Sequence, residues 1–165
     1  MRVQLQLATA GDAESIAALR NAVSDDLTFR HGKGPWTHHC TTAGVLLDAR
    51  NARLYVVLHH DEVIATLVLA TKRPWAIDRK YFAPVKRPLY LTSMVVAPDR
   101  QREGIGRACL AEAVKLARRA KAGAIFLDAY DHAAGAGPFY ARCGCREAGR
   151  VTYRGAPLLY FELLL

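Results

Sequence analysis

The sequence predicts one α/β domain, a mixed sheet of seven strands with helices on its faces. Three observations carry this reading. The chain has 165 residues, about the length of a single domain. Its composition, 52% hydrophobic and 23% charged, is that of an ordinary globular protein. Its apolar periodicity alternates between strand and helix in the order β-α-α-β-β-β-α-β-α-β-β, which calls for a sheet covered by helices.

The elements follow in order. Val3, Leu5 and Leu7 alternate with Gln4 and Gln6, predicting an edge-type strand with one buried face. Gly11-Asp12 opens a helix, with Asp12 as its cap and Ile16, Leu19 and Val23 at helical spacing. His31-Gly-Lys-Gly-Pro35 reads as a flexible break, and a short second helix over 42–50 carries Val45 and Leu46. Residues 54–58 and 63–70 read as strands joined by a turn at His60-Asp61-Glu62, and their near-continuous apolar runs suit interior positions in a sheet. Residues 72–87, with Pro74, Pro84, Trp75, Tyr81 and Phe82, are irregular and long enough to be a binding loop. Residues 89–96 form a strand that Pro98 ends. A helix over 104–122 places Leu110, Ala113, Val114 and Ala117 on one face, and Gly123 stops it after Lys115, Arg118, Arg119 and Lys121. A strand over 125–129 and a short helix over 135–142 come next. Strands over 150–153 and 157–164 flank an Arg154-Gly155 turn.

Several classes are excluded. The apolar content excludes disorder, and 12 Gly with 7 Pro exclude collagen. No apolar stretch approaches the roughly 18 residues of a membrane span. The opening MRVQLQLATAGDAE has no apolar signal core, so a cytoplasmic protein is expected. Its four cysteines, Cys40, Cys109, Cys143 and Cys145, then read as reduced thiols. Cys143-Gly-Cys145 is too tight for a zinc pair, and adjacent histidines such as His59-His60 face opposite ways on a strand, so no metal site is expected.

The net charge is +8, and residues 72–107 hold nine basic against three acidic residues, so +6 of it lies there. Such a field collects polyanions, whether nucleic acid or a phosphorylated small molecule. No recognition helix or RNA-binding motif is present, so nucleic acid is not the expected partner.

The segment Met94-Val-Val-Ala-Pro-Asp-Arg-Gln-Arg-Glu-Gly-Ile-Gly-Arg107 is a strand, a tight loop and the first turn of a periodic helix. A helix start exposes unpaired N–H groups and a partial positive charge, and Gly104 and Gly106 lack side chains that would hold a pyrophosphate off those amides. Arg102 and Arg107 add charge. No Gly-Lys-Ser/Thr follows, and the third glycine of the dinucleotide fingerprint is missing.

Gln101-Arg-Glu-Gly-Ile-Gly106, preceded by Val96-Ala-Pro98, resembles the acyl-CoA signature of the GCN5-related N-acetyltransferases, Gln/Arg-x-x-Gly-x-Gly/Ala. Phe139-Tyr-Ala-Arg-Cys-Gly-Cys145 is similar to that family's second signature, Phe-Tyr-x-Lys/Arg-x-Gly-Phe. The resemblance covers nearly the whole chain. It implies a mostly antiparallel sheet of about seven strands with helices on both faces, and acetyl-CoA as co-substrate. It also implies that β-strand main chain at Met94, Val95 and Val96, splayed from its neighbour at a bulge, carries the pantetheine. The loop Gln101, Arg102, Glu103, Gly104, Ile105 and Gly106, with Arg107, would bind the pyrophosphate. Tyr140 matches the tyrosine that protonates the departing thiolate.

Three positions depart from the family pattern. Asp131 and His132 stand near the place of a frequent Asn, Cys145 replaces the usual Phe, and Tyr90-Leu-Thr-Ser-Met-Val-Val96 lacks the Glu that serves several relatives as general base. The base is then open between water relayed through Thr92 or Ser93, Asp128, Asp131 and His132. The expected activity is transfer of an acetyl group to a primary amine, of a small molecule or a peptide, by direct attack on the thioester. The acceptor groove is expected along 27–35, 75–82 and the Arg154 turn. The alternative is a non-catalytic acyl-CoA-binding module. The terminal strand is apolar on both faces, so one face, with Leu163, Leu164 and Leu165, would be left in water, and it is read as a sheet edge; both suggest a homodimer with this strand in the contact.

Overall fold

A computed structural model of the chain describes residues 3–165. Met1 and Arg2, the start of the stretch read for a leader and an opening strand, lie outside the described residues. The elements are β1 (Gln6–Leu7), α1 (Ala13–His31), α2 (Thr42–Asn51), β2 (Arg53–His59), β3 (Glu62–Ala70), β4 (Pro88–Val96), α3 (Ile105–Arg119), β5 (Ala124–Tyr130), α4 (Gly137–Arg142), β6 (Arg146–Tyr153) and β7 (Ala156–Leu164). This is the order the periodicity predicts. The strands hydrogen-bond in the order β1-β2-β3-β4-β5-β7-β6. Antiparallel pairs join β1 to β2, β2 to β3, β5 to β7 and β6 to β7, while β4 and β5 run parallel.

The chain divides into two compact units, Met1–Leu69 with Ser93–Ala113, and Ala70–Thr92 with Val114–Leu165. In the first, α1 and α2 bury Ile16, Leu19, Val23 and Val45 against Leu54 and Val56 of β2 and Val63 and Val68 of β3. A fully buried side chain such as Ile16 contributes about 1.5–3 kcal/mol. Tyr55, Val57, Ile64 and Leu67 are buried too, so β2 and β3 are covered on both faces, which explains their unbroken apolar runs. His60 and Asp61 both have positive φ, the two-residue turn whose twist matches a hairpin.

In the second unit, Tyr90 of β4, Ala124 and Phe126 of β5 and Tyr160 of β7 form a cluster with Ile77 and Phe82. The latter two come from the 72–87 loop, so this segment is core as well as connector. The opposite side of β7 meets α4, where Gly137 sits against Leu159 and Tyr140 against Phe161.

Four expectations are corrected. The opening strand is only two residues long, and Leu7 is 57% exposed rather than facing the core. Asp12 does not cap α1 with its side chain; its carboxylate accepts the Thr9 N–H at 2.7 Å and the Thr9 hydroxyl at 2.8 Å, closing a 3-10 turn ahead of the helix. The break at 31–35 is ordered, because buried Trp36 folds back and donates Nε1–H to Gly32 O at 2.9 Å. Finally, β7 is an interior strand, paired on one side with β5 and on the other with β6. The homodimer reading loses the free edge, one of the two features on which it rested; Leu164, at the apolar end of the strand, is 53% exposed.

Candidate functional site

The first unit contains the segment read as a phosphate cradle. Within β4, Ser93 has φ +50°, a left-handed residue that interrupts the strand as a bulge does. Met94, Val95 and Val96 follow it, all half-buried. The β4–β5 register already ends at Tyr90 opposite Phe126, so Leu91 and Thr92 have no partner in β5. Past Pro98 the chain turns twice into left-handed backbone, at Arg102 (φ +68°) and Gly104 (φ +82°). An L-residue pays about 1–2 kcal/mol for that conformation and glycine does not. The loop is drawn back onto β4 by Gln101, whose Nε2 donates to Val96 O at 3.2 Å, and Arg100 Nε lies 3.2 Å from Glu103 Oε2.

The first bond of α3 runs from Ala108 N–H to Gly104 O at 3.0 Å. The N–H groups of Ile105 and Gly106 therefore precede the helical ladder and point out of its positive end. A Cβ added at Gly104 would meet nothing within 4 Å, so open space faces this turn. Arg102, Glu103 and Arg107 are exposed. Ile105 is buried in the core, so it offers the cradle its N–H alone.

The second unit contains Tyr140, 6% exposed, on the six-residue α4 and packed against the rings of Phe139 and Phe161. Burial first, then the charges of Cys145, Asp128 and Cys143, push its phenol above its ordinary value, so it is a neutral proton donor at any physiological pH. Its carbonyl accepts the N–H groups of Cys143 and Cys145, both at 3.1 Å, which closes the end of α4. Cys145 is itself buried, and its thiol is pushed up to about 11 by burial; it fills the core as a small apolar group.

The candidate bases differ in their surroundings. Asp131 is engaged by Arg150 at 3.3 Å, and His132 Nδ1 accepts the Ala134 N–H at 3.0 Å. Asp128 on β5 has no ion pair among the described residues. Burial raises its pKa, and its charge in turn raises those of Tyr130, Tyr140 and Tyr160. Ser93 is exposed and Thr92 half-buried.

A cleft of about 510 Å³ opens in the same unit, lined by Arg73, Trp75, Ala76, Ile77, Asp78 and Tyr81 of the loop, Val151, Thr152 and Tyr153 of β6, and Tyr160. Its lining includes part of the 75–82 segment and the hairpin next to Arg154, two of the three stretches read as an acceptor groove; 27–35 does not line it. Sequence reading missed what holds this loop. The Tyr160 hydroxyl donates to Ala76 O and accepts the Asp78 N–H at 3.1 Å. Glu162, 1% exposed and paired with Arg146, accepts the Ala83 N–H at 2.8 Å. Tyr81 lies on Gly149, where a Cβ would stand 2.4 Å from its ring.

The strand order and the helix placement are those of solved acetyltransferases. An N-acetyltransferase from Staphylococcus aureus superposes with a TM-score of 0.72 at 16% identity, covering 99% of each chain. A ribosomal-protein-alanine N-acetyltransferase from Brucella melitensis gives 0.72 at 21% identity over 98% of this chain and 99% of that one. YncA of Salmonella typhimurium, solved with its cofactor acetyl-CoA, gives 0.71 at 16% identity over 100% and 95%. No curated protein sequence matches the chain. The acetyltransferase (GNAT) family model matches residues 16–145, and the chain belongs to that family. Acetyl-CoA is the family's acetyl donor, and acetyl transfer its reaction. Among the described residues no helix is long and apolar enough to cross a membrane.

Proposed function

We propose that the chain, as one domain over residues 1–165, transfers an acetyl group from acetyl-CoA to a primary amine in the cytoplasm. The observation that carries this is the pair of left-handed residues, Arg102 and Gly104, that turns β4 into the start of α3. Backbone N–H groups gathered by such a turn at a helix start suit a pyrophosphate. In this reading Gln101 positions the loop, Arg102 and Arg107 neutralise phosphate charge, and the main chain of Met94, Val95 and Val96 carries the pantetheine.

The amine attacks the thioester carbonyl carbon while that oxygen takes up negative charge, which a backbone N–H near Val96 stabilises. Collapse breaks the C–S bond, and the thiolate takes the Tyr140 proton. We assign the base to Asp128: its charge raises the Tyr140 pKa and it makes no ion pair among the described residues, while Asp131 and His132 are already engaged. It accepts the proton that the amine loses, and solvent returns a proton to Tyr140.

The test is thiol release from acetyl-CoA over a panel of amines, polyamines, aminoglycosides, amino acids and peptides. Turnover with at least one amine is expected. Binding of acetyl-CoA without turnover on any amine would instead identify an acyl-CoA-binding module.

A further inference from the structure

The 510 Å³ cleft has a charge and ring content that acetyl transfer alone does not require. Its volume is that of a site for a small molecule. Four aromatic side chains line it, Trp75, Tyr81, Tyr153 and Tyr160, with two ionic groups, Arg73 and Asp78. The carboxylate is already satisfied: Asp78 accepts the Lys80 N–H at 3.1 Å and lies 3.2 Å from Lys80 Nζ. The guanidinium of Arg73 is near enough for its charge to help lower the Asp78 pKa, but it makes no ion pair among the described residues. One Arg73 nitrogen donates to Ile77 O at 2.6 Å, which fixes the exposed side chain and leaves the rest of its donor fork available. Arg154, at the hairpin tip, stacks 5.3 Å over the Tyr153 ring. Over residues 72–87 six basic residues stand against Asp78 alone. Such a field repels polycations and concentrates anions. Trp75 is 81% exposed, a large ring held in water at the mouth of the cleft.

We propose, on the reading that this cleft takes the acetyl acceptor, that the acceptor is a small amine bearing both an anionic group and a planar apolar group. The anion, a carboxylate or a phosphate, lies on Arg73 in a two-pronged contact that guanidinium favours. The planar group covers Trp75. Polyamines, aminoglycosides and lysine-rich peptides are excluded by the charge.

The experiment titrates the protein, without acetyl-CoA, with L-phenylalanine, L-phenylalaninamide, phenyl phosphate and spermidine, reading tryptophan emission. Trp36 is buried and Trp75 exposed, so the long-wavelength emission belongs to Trp75 and moves to the blue when a ligand covers it. L-Phenylalanine or phenyl phosphate, whichever carries the preferred anion, is expected to give that shift. L-Phenylalaninamide should bind about tenfold more weakly or worse, the loss of one charge-assisted contact. Spermidine should give none. Arg73→Gln, which keeps a donor for Ile77 O, should bring the acid down to the amide's affinity with its melting temperature retained, and Trp75→Phe should remove the signal. Equal binding of acid and amide, a shift with spermidine, or no shift with any probe overturns the proposal. Thiol release in the amine panel is independent of this titration, so failure here leaves the acetyltransferase reading standing.

Discussion

Residues 71–87, ahead of β4, and residues 97–104, behind it, are both irregular, yet they hold their shapes by different means. The second loop is short and local. Apart from Ala97 N–H to Ile64 O at 2.9 Å, where the loop leaves β4, its bonds reach three to five residues along the chain, Arg100 N–H to Ala97 O and Gln101 Nε2 to Val96 O, and its turns are backbone conformations at Arg102 and Gly104. The first loop is fastened from a distance: the Tyr160 hydroxyl, the Glu162 carboxylate and the face of Gly149 hold residues 76–83 from about 70 to 85 positions away. A loop ordered by its own backbone presents N–H groups and tolerates little change at its glycines. One ordered by distant side chains presents its own side chains, and varies with its anchors. The same contrast runs through the proposed chemistry, in which the cradle binds mainly with main chain, assisted by the charges of Arg102 and Arg107, while Tyr140, Asp128 and Arg73 act through side chains.

The contrast breaks most visibly at the side chains that move protons. Tyr140→Phe keeps the ring and deletes the proton, and kcat should fall roughly 10²–10⁴-fold with acetyl-CoA affinity little changed. A variant within about threefold of the parent would make Tyr140 a packing residue.

Asp128→Asn should lower kcat on the same scale, about 10²–10⁴-fold, and remove the acidic limb from the pH–rate profile. The sign follows from burial, which raises the Asp128 pKa: the base form is gained, and the rate rises, as pH climbs through that raised value. Stability runs the other way. A carboxyl whose folded pKa is raised favours folding while protonated and loses that contribution as pH rises through the folded value. The Asn variant should therefore melt higher than the parent at pH 7, with the advantage shrinking as pH falls toward the ordinary carboxylate range. A profile unchanged by the substitution would return the base to Thr92, Ser93, Asp131 or His132.

The cradle allows a sharper comparison between its two glycines. Gly104→Val puts a branched residue at φ +82°, so it should cost about 1–2 kcal/mol of stability as well as acetyl-CoA affinity. Gly106→Val, inside α3, should weaken acetyl-CoA by about tenfold or more through the side chain itself, a clash of roughly 1–3 kcal/mol. Calorimetric titration with a thermal melt separates the two, and unchanged affinity in Gly106→Val would remove the cradle from the mechanism.

The smallest effect belongs to the far anchor. Tyr160→Phe leaves Ala76 O and Asp78 N–H without their partner, at a cost of about 1–2 kcal/mol. Acceptor KM should rise while acetyl-CoA affinity stays, and an equal change in both would show that the two loops are not independent.

What was legible in the sequence is what short-range physics decides. The eleven elements follow from apolar patterning, the tight turn into α3 from glycines beside a helix start, and the hairpin ends from His60-Asp61 and Arg154-Gly155, which take left-handed backbone where the register needs it. Asp12 does stand at the N-cap of α1, but its carboxylate bonds Thr9, only three residues away, instead of the helix N–H groups. Everything carried by long-range contact was invisible. The apolar run at the end of the chain says that β7 is covered on both faces, and only its neighbours β5 and β6 say that it is no edge. Likewise the sequence supplies Arg73, Asp78 and Trp75, but which of the two charges is left unsatisfied depends on Lys80 and Ile77 folding back onto them. Pairings across the sheet are chosen by the summed burial of many side chains at once, and no local stretch of residues contains that sum.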